Sequence, residues 1–365
     1  MNLREILKLS EEHNISGNDY PFYGVNKDKD FIPTAATTDG LDKKKYKIIR
    51  KDKFVYSGMQ TGRDVCIRFA LYSHEAPLLL SPAYSILKVS KDKILPEYVF
   101  LNFLTFEKDR LGWFYSDGSV RANLDLSRFL DIDIPMPSLD VQRQYANVYN
   151  TLRKLAEQNE AIVKPLMDFC TGFMAKLLTK YKRVEIGDIL EECVELNGSK
   201  YTVDRVIGLS TSKSLIPTKA KMEGVALKGY KVFNNNTIAY VSDTSRRGEK
   251  VSMGYNNSEE DYLVSSITTI FKSKDESILN TNFLFLYLCR ESFDRYARYN
   301  SWGSARETFD WSEMCRVKIP LPPIEVQESI VAIYKCAEKA RSIAERAREE
   351  MKRICPAMIQ RAAHQ

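Results

Sequence analysis

The chain has 365 residues, 44% of them hydrophobic and 11% aromatic, enough for two or three domains with cores of their own. Its net charge of +6 permits a nucleic-acid partner without requiring one. No run of eighteen apolar residues occurs, Met1 to Ser10 lacks the apolar core of a secretion signal, and seven scattered cysteines with three histidines show no zinc spacing. These features argue against a membrane span, export, a disulfide framework and a structural zinc site, and make the cell interior the expected location.

Taken in order, Met1 to Asn14 predicts a short amphipathic helix through Leu3, Ile6 and Leu7. Lys47 to Ile49, Phe54 to Tyr56 and Ala83 to Val89 cluster β-formers as strands do, and Ile94 to Glu107 has the length and spacing of a helix. Aromatics follow at Trp113-Phe114-Tyr115, then Gly118-Ser119-Val120-Arg121, then Ile134-Pro135-Met136-Pro137. The Pro-x-Pro pair stops the domain, because proline cannot continue a ladder and biases its predecessor to extended geometry. From Val141 a row at alternating spacings of four and three (Val141, Tyr145, Val148, Leu152, Leu155, Asn159, Ile162, Leu166, Phe169, Phe173) predicts a coiled-coil helix of about forty residues. Pro165 lies within it and predicts a kink.

The second half repeats the first. Tyr46-Lys47-Ile48-Ile49 and Phe54-Val55-Tyr56-Ser57 fall on Tyr230-Lys231-Val232-Phe233 and Ile238-Ala239-Tyr240-Val241, and SPAYSILK from Ser81 falls on SSITTIFK from Ser265. Ile94 to Leu104 falls on Ile278 to Leu288, Gly118 to Arg121 on Gly303 to Arg306, Ile134 to Pro137 on Ile319 to Pro322, and Val141-Gln142 on Val326-Gln327. One offset of 184 or 185 residues holds throughout, so internal duplication organises the fold. The second unit predicts strands at Lys231 to Phe233, Thr237 to Val241 and Ser266 to Lys272, a helix at Asn282 to Tyr296, and an opening helix at Val184 to Val194. A second row follows through Val326, Ile330, Ile333, Ala337, Ala340, Ala344, Ala347, Met351, Ile354 and Met358. One row is bulky and the other rich in alanine, which suits close interdigitation of two antiparallel helices.

The expected fold is therefore α+β: two similar mixed α/β modules, 1–138 and 184–318, joined by two long antiparallel helices, 139–183 and 319–365, with approximate twofold symmetry. Roughly forty helical residues span about 60 Å, more than one turn of B-DNA at about 34 Å. Lysine plus arginine nearly balances aspartate plus glutamate in both modules (20 against 19, and 18 against 19). The surplus lies in the helices (8 against 4, and 8 against 6). Any DNA contact by the modules therefore requires their charges to be segregated by face.

Domain–helix–domain–helix order, with Ile-Pro-Met/Leu-Pro followed by an early helical Gln and a doubled Gly-Ser-x-Arg, resembles the specificity subunit of type I restriction–modification systems. The resemblance spans nearly the whole chain. It implies two target recognition domains that each read half of a gapped sequence in double-stranded DNA. It also implies helices that serve as spacer and as platform for two methyltransferase subunits, with motor and nuclease subunits joining them. S-adenosylmethionine would bind those methyltransferase subunits and not this chain, which would hold no cofactor, no metal and no catalytic residue. Specificity subunits of type II systems share this plan, and a scaffold pairing two copies of a protein partner is the alternative from another class.

Candidate DNA contacts sit in polar loops after matched strands: Ser57, Gln60, Thr61 and Arg63 in the first module, and Ser242, Thr244, Ser245, Arg246, Arg247 and Lys250 in the second. Arginine suits guanine and Gln or Asn suits adenine in the major groove, whereas an ordinary solvated loop is the plain alternative. Lys43, Lys44 and Lys45 suit phosphates or form a solvated turn. Arg121 and Arg306 either touch phosphate or brace the module against its helix. The aromatics before them are expected in the core rather than as stacking platforms, with Tyr299 and Asn300 as additional candidates. In the coiled-coil seam, Asn159 either fixes register as a buried amide or marks where the seam opens. No Asn/Asp-Pro-Pro-Tyr/Phe methyltransferase motif and no phosphate loop occurs, and Glu350-Met351-Lys352 has nuclease-like spacing without a matching acidic strand residue. The chain is therefore expected to be non-catalytic.

Overall fold

The computed structural model describes all residues except 36, 39, 60, 91–93, 245–249, 305 and 364–365. The chain divides into two units: Met1–Glu160 with Arg341–Gln365, and Ala161–Ala340. Each holds one α/β module together with parts of both long helices.

In the first unit a four-stranded antiparallel sheet runs in the order Leu7–Leu9, Ser85–Val89, Lys53–Ser57, Arg68–Tyr72. Successive side chains of a strand point to opposite faces, and here both faces are covered, which is why Phe54-Val55-Tyr56 reads as a continuous apolar run. Phe54, Tyr56, Phe69 and Leu87 pack on the helical side with Tyr98, Phe103 and Phe129. Val55, Ala70 and Ile86 pack on the other side against Val25, Ile49 and Leu80. Those last three belong to a second sheet ordered Phe31–Pro33, Phe22–Val25, Leu78–Leu80, Lys47–Ile49. Stacking of Tyr56 on Phe129 at 4.1 Å and of Phe54 on Phe69 at 4.7 Å fixes the helical layer.

The second unit repeats the plan. Its sheet runs Leu190–Cys193, Thr268–Ser273, Thr237–Val241, Ser252–Asn256. Ile238, Tyr240 and Phe271 face the helical layer with Phe283 and Phe309, and Ala239, Val241 and Ile270 face Phe233, Val264 and Leu209. The outer layer is here a pair of two-stranded ribbons, Ile207–Leu209 with Leu215–Pro217 and Lys231–Phe233 with Tyr262–Val264.

Two local expectations fail for identifiable reasons. The opening segments are not helices: Leu3–Glu5 and Gly187–Ile189 are single 3₁₀ turns followed by strands that complete the central sheets. Leu3, Ile6 and Leu7 are buried as expected, but so short an apolar pattern fits either period, and pairing with the neighbouring strand decides it. The expected helices over 94–107 and 282–296 are each two helices, Pro96–Asn102 with Phe106–Tyr115 and Thr281–Leu288 with Glu291–Tyr299. In the first module Thr105 makes the break by capping the new helix, its hydroxyl accepting from the Lys108 N–H.

The long helices run Leu139–Lys180 and Ile324–Ala363, 42 and 40 residues. The glutamine of each repeated Val-Gln is fully buried and ties its helix to the preceding module. Gln142 Oε1 accepts from the Leu95 N–H at 3.0 Å and its Nε2 donates to the Pro137 carbonyl. Gln327 accepts from the Asn280 N–H and donates to the carbonyls of Ile278 and Pro322, each at 2.9 Å. In the first unit Tyr149 shares a core with Met351, Cys355, Ile359 and Ala362, and Arg348 forms a two-pronged pair with Glu160 at 3.1 Å. Positions fall along one helix as they rise along the other, so the segments are antiparallel. In the second unit Cys170, Met174 and Leu177 share a core with Ile330 and Val331.

The seam corrects the reading of the first long helix. Val148, Leu155, Ile162 and Phe169 are 40 to 51% exposed, and Leu152, Asn159 and Leu166 are half-buried. The buried row lies one residue on, at Gln142, Ala146, Tyr149, Ala156, Cys170, Met174 and Leu177. Both rows have the same spacing, so periodicity cannot choose between them, and the chain buries the slimmer one. On the second long helix Ala337, Ala340, Ala344, Ala347 and Met351 are buried and Ile333 is half-buried. Small residues on both buried rows let backbones approach closely. Asn159 does not act as a buried register-fixing amide: it donates to the Leu155 carbonyl at 2.8 Å on its own helix. The helix continues through Pro165.

Candidate functional site

In each module the fold brings together the two segments singled out in the sequence. Leu124 donates its N–H to Gly58 and Gly62 donates to Ala122, at 2.9 and 2.8 Å, so the loop carrying Gly118 to Arg121 lies against the Ser57 to Arg63 segment. In the second module the Thr244 N–H donates to the Glu307 carbonyl and Asp243 bridges Thr308, which joins Ser242 to Thr244 with the Tyr299 to Arg306 loop. Gly58 is required by this approach, since a Cβ there would lie 1.7 Å from the Leu124 carbonyl oxygen.

Several candidate readers prove to be structural. Ser57 is buried in the strand pairing opposite Arg68, and Thr61 is fully buried with its hydroxyl donating to Gly58 at 3.0 Å. Thr244 is likewise fully buried, donating to Ser301 Oγ at 2.8 Å. Short hydroxyl residues in a tight turn satisfy backbone carbonyls before they reach any ligand. The Asn300 amide is spent on the Tyr296 carbonyl at the end of its helix. Gln60, Ser245, Arg246 and Arg247 lie outside the described residues, while Ser242 is half-buried and Lys250 exposed.

The cations remain at the surface. Asp64, nearly buried, accepts from Arg68 at 2.7 Å and pairs with Arg63 at 3.3 Å and Lys27 at 3.4 Å. Burial alone would raise its carboxyl, but the bonds to Arg68, Arg63 and Lys27 outweigh it and hold Asp64 below the ordinary carboxylate range. One buried anion thus pre-orients three cations, and Arg63 is the more solvated of its two arginines. Arg121 and Arg306 are exposed on the adjoining loops. The lysine run lies elsewhere: Lys43–Lys45 is a 3₁₀ turn capped by Asp42, with Lys43 paired to Asp19 and its carbonyl held by Asn14.

Aromatics expected in the core stand outside it. Trp113, Phe114 and Tyr115 end the helix beside Gly62 and Ala122, with Phe114 77% exposed. In the second module Tyr299 is 82% exposed and Trp302 also projects to solvent. Each module therefore sets exposed rings next to its candidate cationic loop, the combination that stacks on bases and neutralises phosphates.

The sequence also concealed a duplicated internal staple. Lys29 Nζ donates to both carboxylate oxygens of Asp109, which also accepts from the Ile67 N–H. Lys213 pairs with Asp294 at 2.6 Å, and Asp294 accepts from the Val251 N–H at 2.9 Å. Both lysines are hairpin residues with φ near +60° (65° and 62°) and side chains only 4% and 7% exposed. The repeat offset relates all three partners, but the flanking Lys27-Asp28 and Thr211-Ser212 differ, so no block similarity drew attention to them.

Comparison with known proteins adds a family. The family described as type I restriction modification DNA specificity domain matches residues 2–164 and 180–353. A putative type I restriction enzyme MjaX specificity subunit from Methanocaldococcus jannaschii is 24% identical over 342 residues, covering 85% of this chain and 76% of that protein. The type I restriction enzyme MjaVIII specificity subunit of the same organism is 22% identical over 292 residues, covering 72% and 68%. The crystal structure of a type I restriction-modification S subunit from M. genitalium superposes with a TM-score of 0.65 at 11% identity, covering 99% of this chain and 95% of that one, which places the two in one fold.

Proposed function

We propose, because this chain belongs to the type I restriction modification DNA specificity family, that each module reads one half of a two-part sequence in double-stranded DNA. The observation that carries this reading is the paired arrangement at one end of each module, where a cationic loop and exposed rings adjoin a segment held against the strand ends. In the first module the readers are Arg63 and Arg121, with Lys27 and Arg68 on phosphates and the Trp113 to Tyr115 rings against the bases. In the second they are Arg306 and Lys250, with Tyr299 and Trp302.

The chain supplies recognition and no bond-making step of its own. Methyl transfer to adenine falls to partner methyltransferase subunits that hold S-adenosylmethionine, and cleavage to motor and nuclease subunits. The outer apolar row of the first long helix supports such partners. Val148 and Leu155 in the first unit, and Ile162 and Phe169 in the second, sit at seven-residue intervals and are left 40 to 51% exposed by this chain. Covering what remains of each would yield about half of the roughly 1.5–3 kcal/mol of a fully exposed side chain. A helix from a methyltransferase subunit docks there.

The test is selection from random duplexes by the chain assembled with its methyltransferase, followed by mapping of methylated adenines. Two short motifs separated by a constant gap are expected, with Arg63→Ala relaxing only one of them. A single uninterrupted motif, or none, overturns the reading.

A further inference from the structure

The second module carries a basic cleft that the first does not. About 500 Å³ in volume, it opens where the helix Glu291–Tyr299 begins, and its walls include Arg183, Arg290, Arg316 and Lys318 together with Tyr287 and Phe293. No carboxylate lines it among the described residues. Arg316 and Lys318 have carboxylate partners outside the lining, Glu313 at 2.8 Å and Glu185 at 3.1 Å. Arg183 and Arg290 have none among the described residues, and the Arg290 guanidinium is held in place by lying over the Tyr287 ring at 5.0 Å. Arg290 is also the N-cap of the nine-residue helix and offers no side-chain acceptor to its first turn, whose acidic residues Glu291 and Asp294 are outside the lining and pair with Arg295 and Lys213.

At the equivalent place the first module is neutralised. Thr105 replaces Arg290 and caps its helix, and Asp131 and Asp133 replace Arg316 and Lys318. Arg4 is bonded to Asp131 at 2.7 Å, and Lys108 donates to the Asp133 carbonyl. Duplication therefore does not explain the four cations, and neither does packing, since two of them have no acidic partner among the described residues. Such unpaired like charges repel one another and cost stability until an anion enters.

From this cleft we infer a binding site for a phosphate-bearing ligand of nucleotide size. Guanidinium forks match phosphate oxygens in pairs, the volume falls within the range of small-molecule sites, and half-buried Leu178 and Tyr296 in the lining offer an apolar side for a base. The cleft is lined by none of the residues of the candidate DNA loop: along the helix Glu291–Tyr299 its lining reaches Tyr296 and does not include Tyr299. The phosphate is that of a free nucleotide or of a DNA strand passing outside the recognised sequence.

The full chain is titrated by calorimetry with ADP, with inorganic pyrophosphate and with a short duplex of unrelated sequence. Saturable binding of ADP and pyrophosphate is expected, weakened at least tenfold by Arg290→Gln and by Arg183→Gln, and unchanged by Arg295→Gln, which lies on the same helix outside the cleft. Arg183 is exposed at a strand end, so its variant folds even where Arg290→Gln does not. Loss confined to ADP and pyrophosphate assigns a free nucleotide, and loss confined to the duplex assigns a phosphodiester. Failure of all three to bind, or binding unaffected by both variants, overturns the inference.

Discussion

The two modules of this chain share their interior and differ in their charge. Lys29 with Asp109 and Lys213 with Asp294 are superimposable in role, down to the backbone N–H that each aspartate accepts. Gln142 and Gln327 repeat one clamp between module and helix. Yet where the second module presents Arg290, Arg316 and Lys318, the first presents Thr105, Asp131 and Asp133. What duplication preserved is the set of buried polar contacts that hold a module together, and what it released is the electrostatics of the surface. A buried polar contact found in both copies therefore speaks for architecture, and a surface charge found in a single copy for a task of that copy.

The staples provide the harshest test. Asp109→Ala and Asp294→Ala each strand a buried lysine, which costs about 3–5 kcal/mol. Hydrogen exchange resolved by unit should show the loss confined to the unit carrying the change, and of similar size in both. A variant that loses less than half as much as its counterpart breaks the equivalence.

Next come the glutamine clamps. Gln327→Ala orphans the Asn280 N–H and the carbonyls of Ile278 and Pro322, Gln142→Ala orphans the Leu95 N–H and the Pro137 carbonyl among others, and each buried group left unmade costs about 1–3 kcal/mol. Denaturation followed by circular dichroism should show both variants destabilised, and a clamp whose loss leaves stability unchanged is not equivalent to its counterpart. A comparable magnitude, about 1–3 kcal/mol, is expected from Ala156→Leu, which overpacks the buried row. Leu155→Ala, one residue away on the exposed row, should change the chain's own stability by no more than about 0.5 kcal/mol while reducing co-purification with a methyltransferase subunit. Reversal of that order would restore the seam first read from the sequence.

The smallest effect concerns pH. The folded Asp64 carboxyl lies below its unfolded value, so its stabilising contribution is complete above the ordinary carboxylate range and is lost as pH falls through the lowered one. Affinity for DNA should fall in the same acid window as Arg63 and Arg68 lose their anchor, and Asp64→Asn should flatten that acid limb. An acid limb that persists in Asp64→Asn assigns it to another carboxylate.

Much of the architecture was legible because duplication writes itself twice. The offset of 184 or 185 residues located both modules, both proline stops and both long helices. Legibility ended wherever one pattern served two structures. On the first long helix, Val148 and Ala156 belong to rows of equal period, and the bulkier row looked like the core. Leu3, Ile6 and Leu7 fitted a helix as well as a turn and strand. At the site, Thr61 and Thr244 have the chemistry of readers, but their burial is set by loops that return from sixty residues away. Phe114 and Tyr299 look like core residues until the helix that bears them ends at the surface. Lys29 and Lys213 were hidden because an ion pair across eighty residues leaves no local trace.

The first unit is assembled from Met1–Glu160 and Arg341–Gln365, and that discontinuity governs its birth. Its core counts Met351, Cys355, Ile359 and Ala362 among its members, and these leave the ribosome only after the other unit. Roughly 180 residues of the other unit are translated in between, which at about 5–20 residues per second takes roughly ten to forty seconds. During that interval Tyr149 and its neighbours wait without their cover from Met351 to Ala362, so of the two units the one begun first is completed second. A nascent chain stalled before Arg341 should accordingly recruit chaperones to its amino-terminal portion.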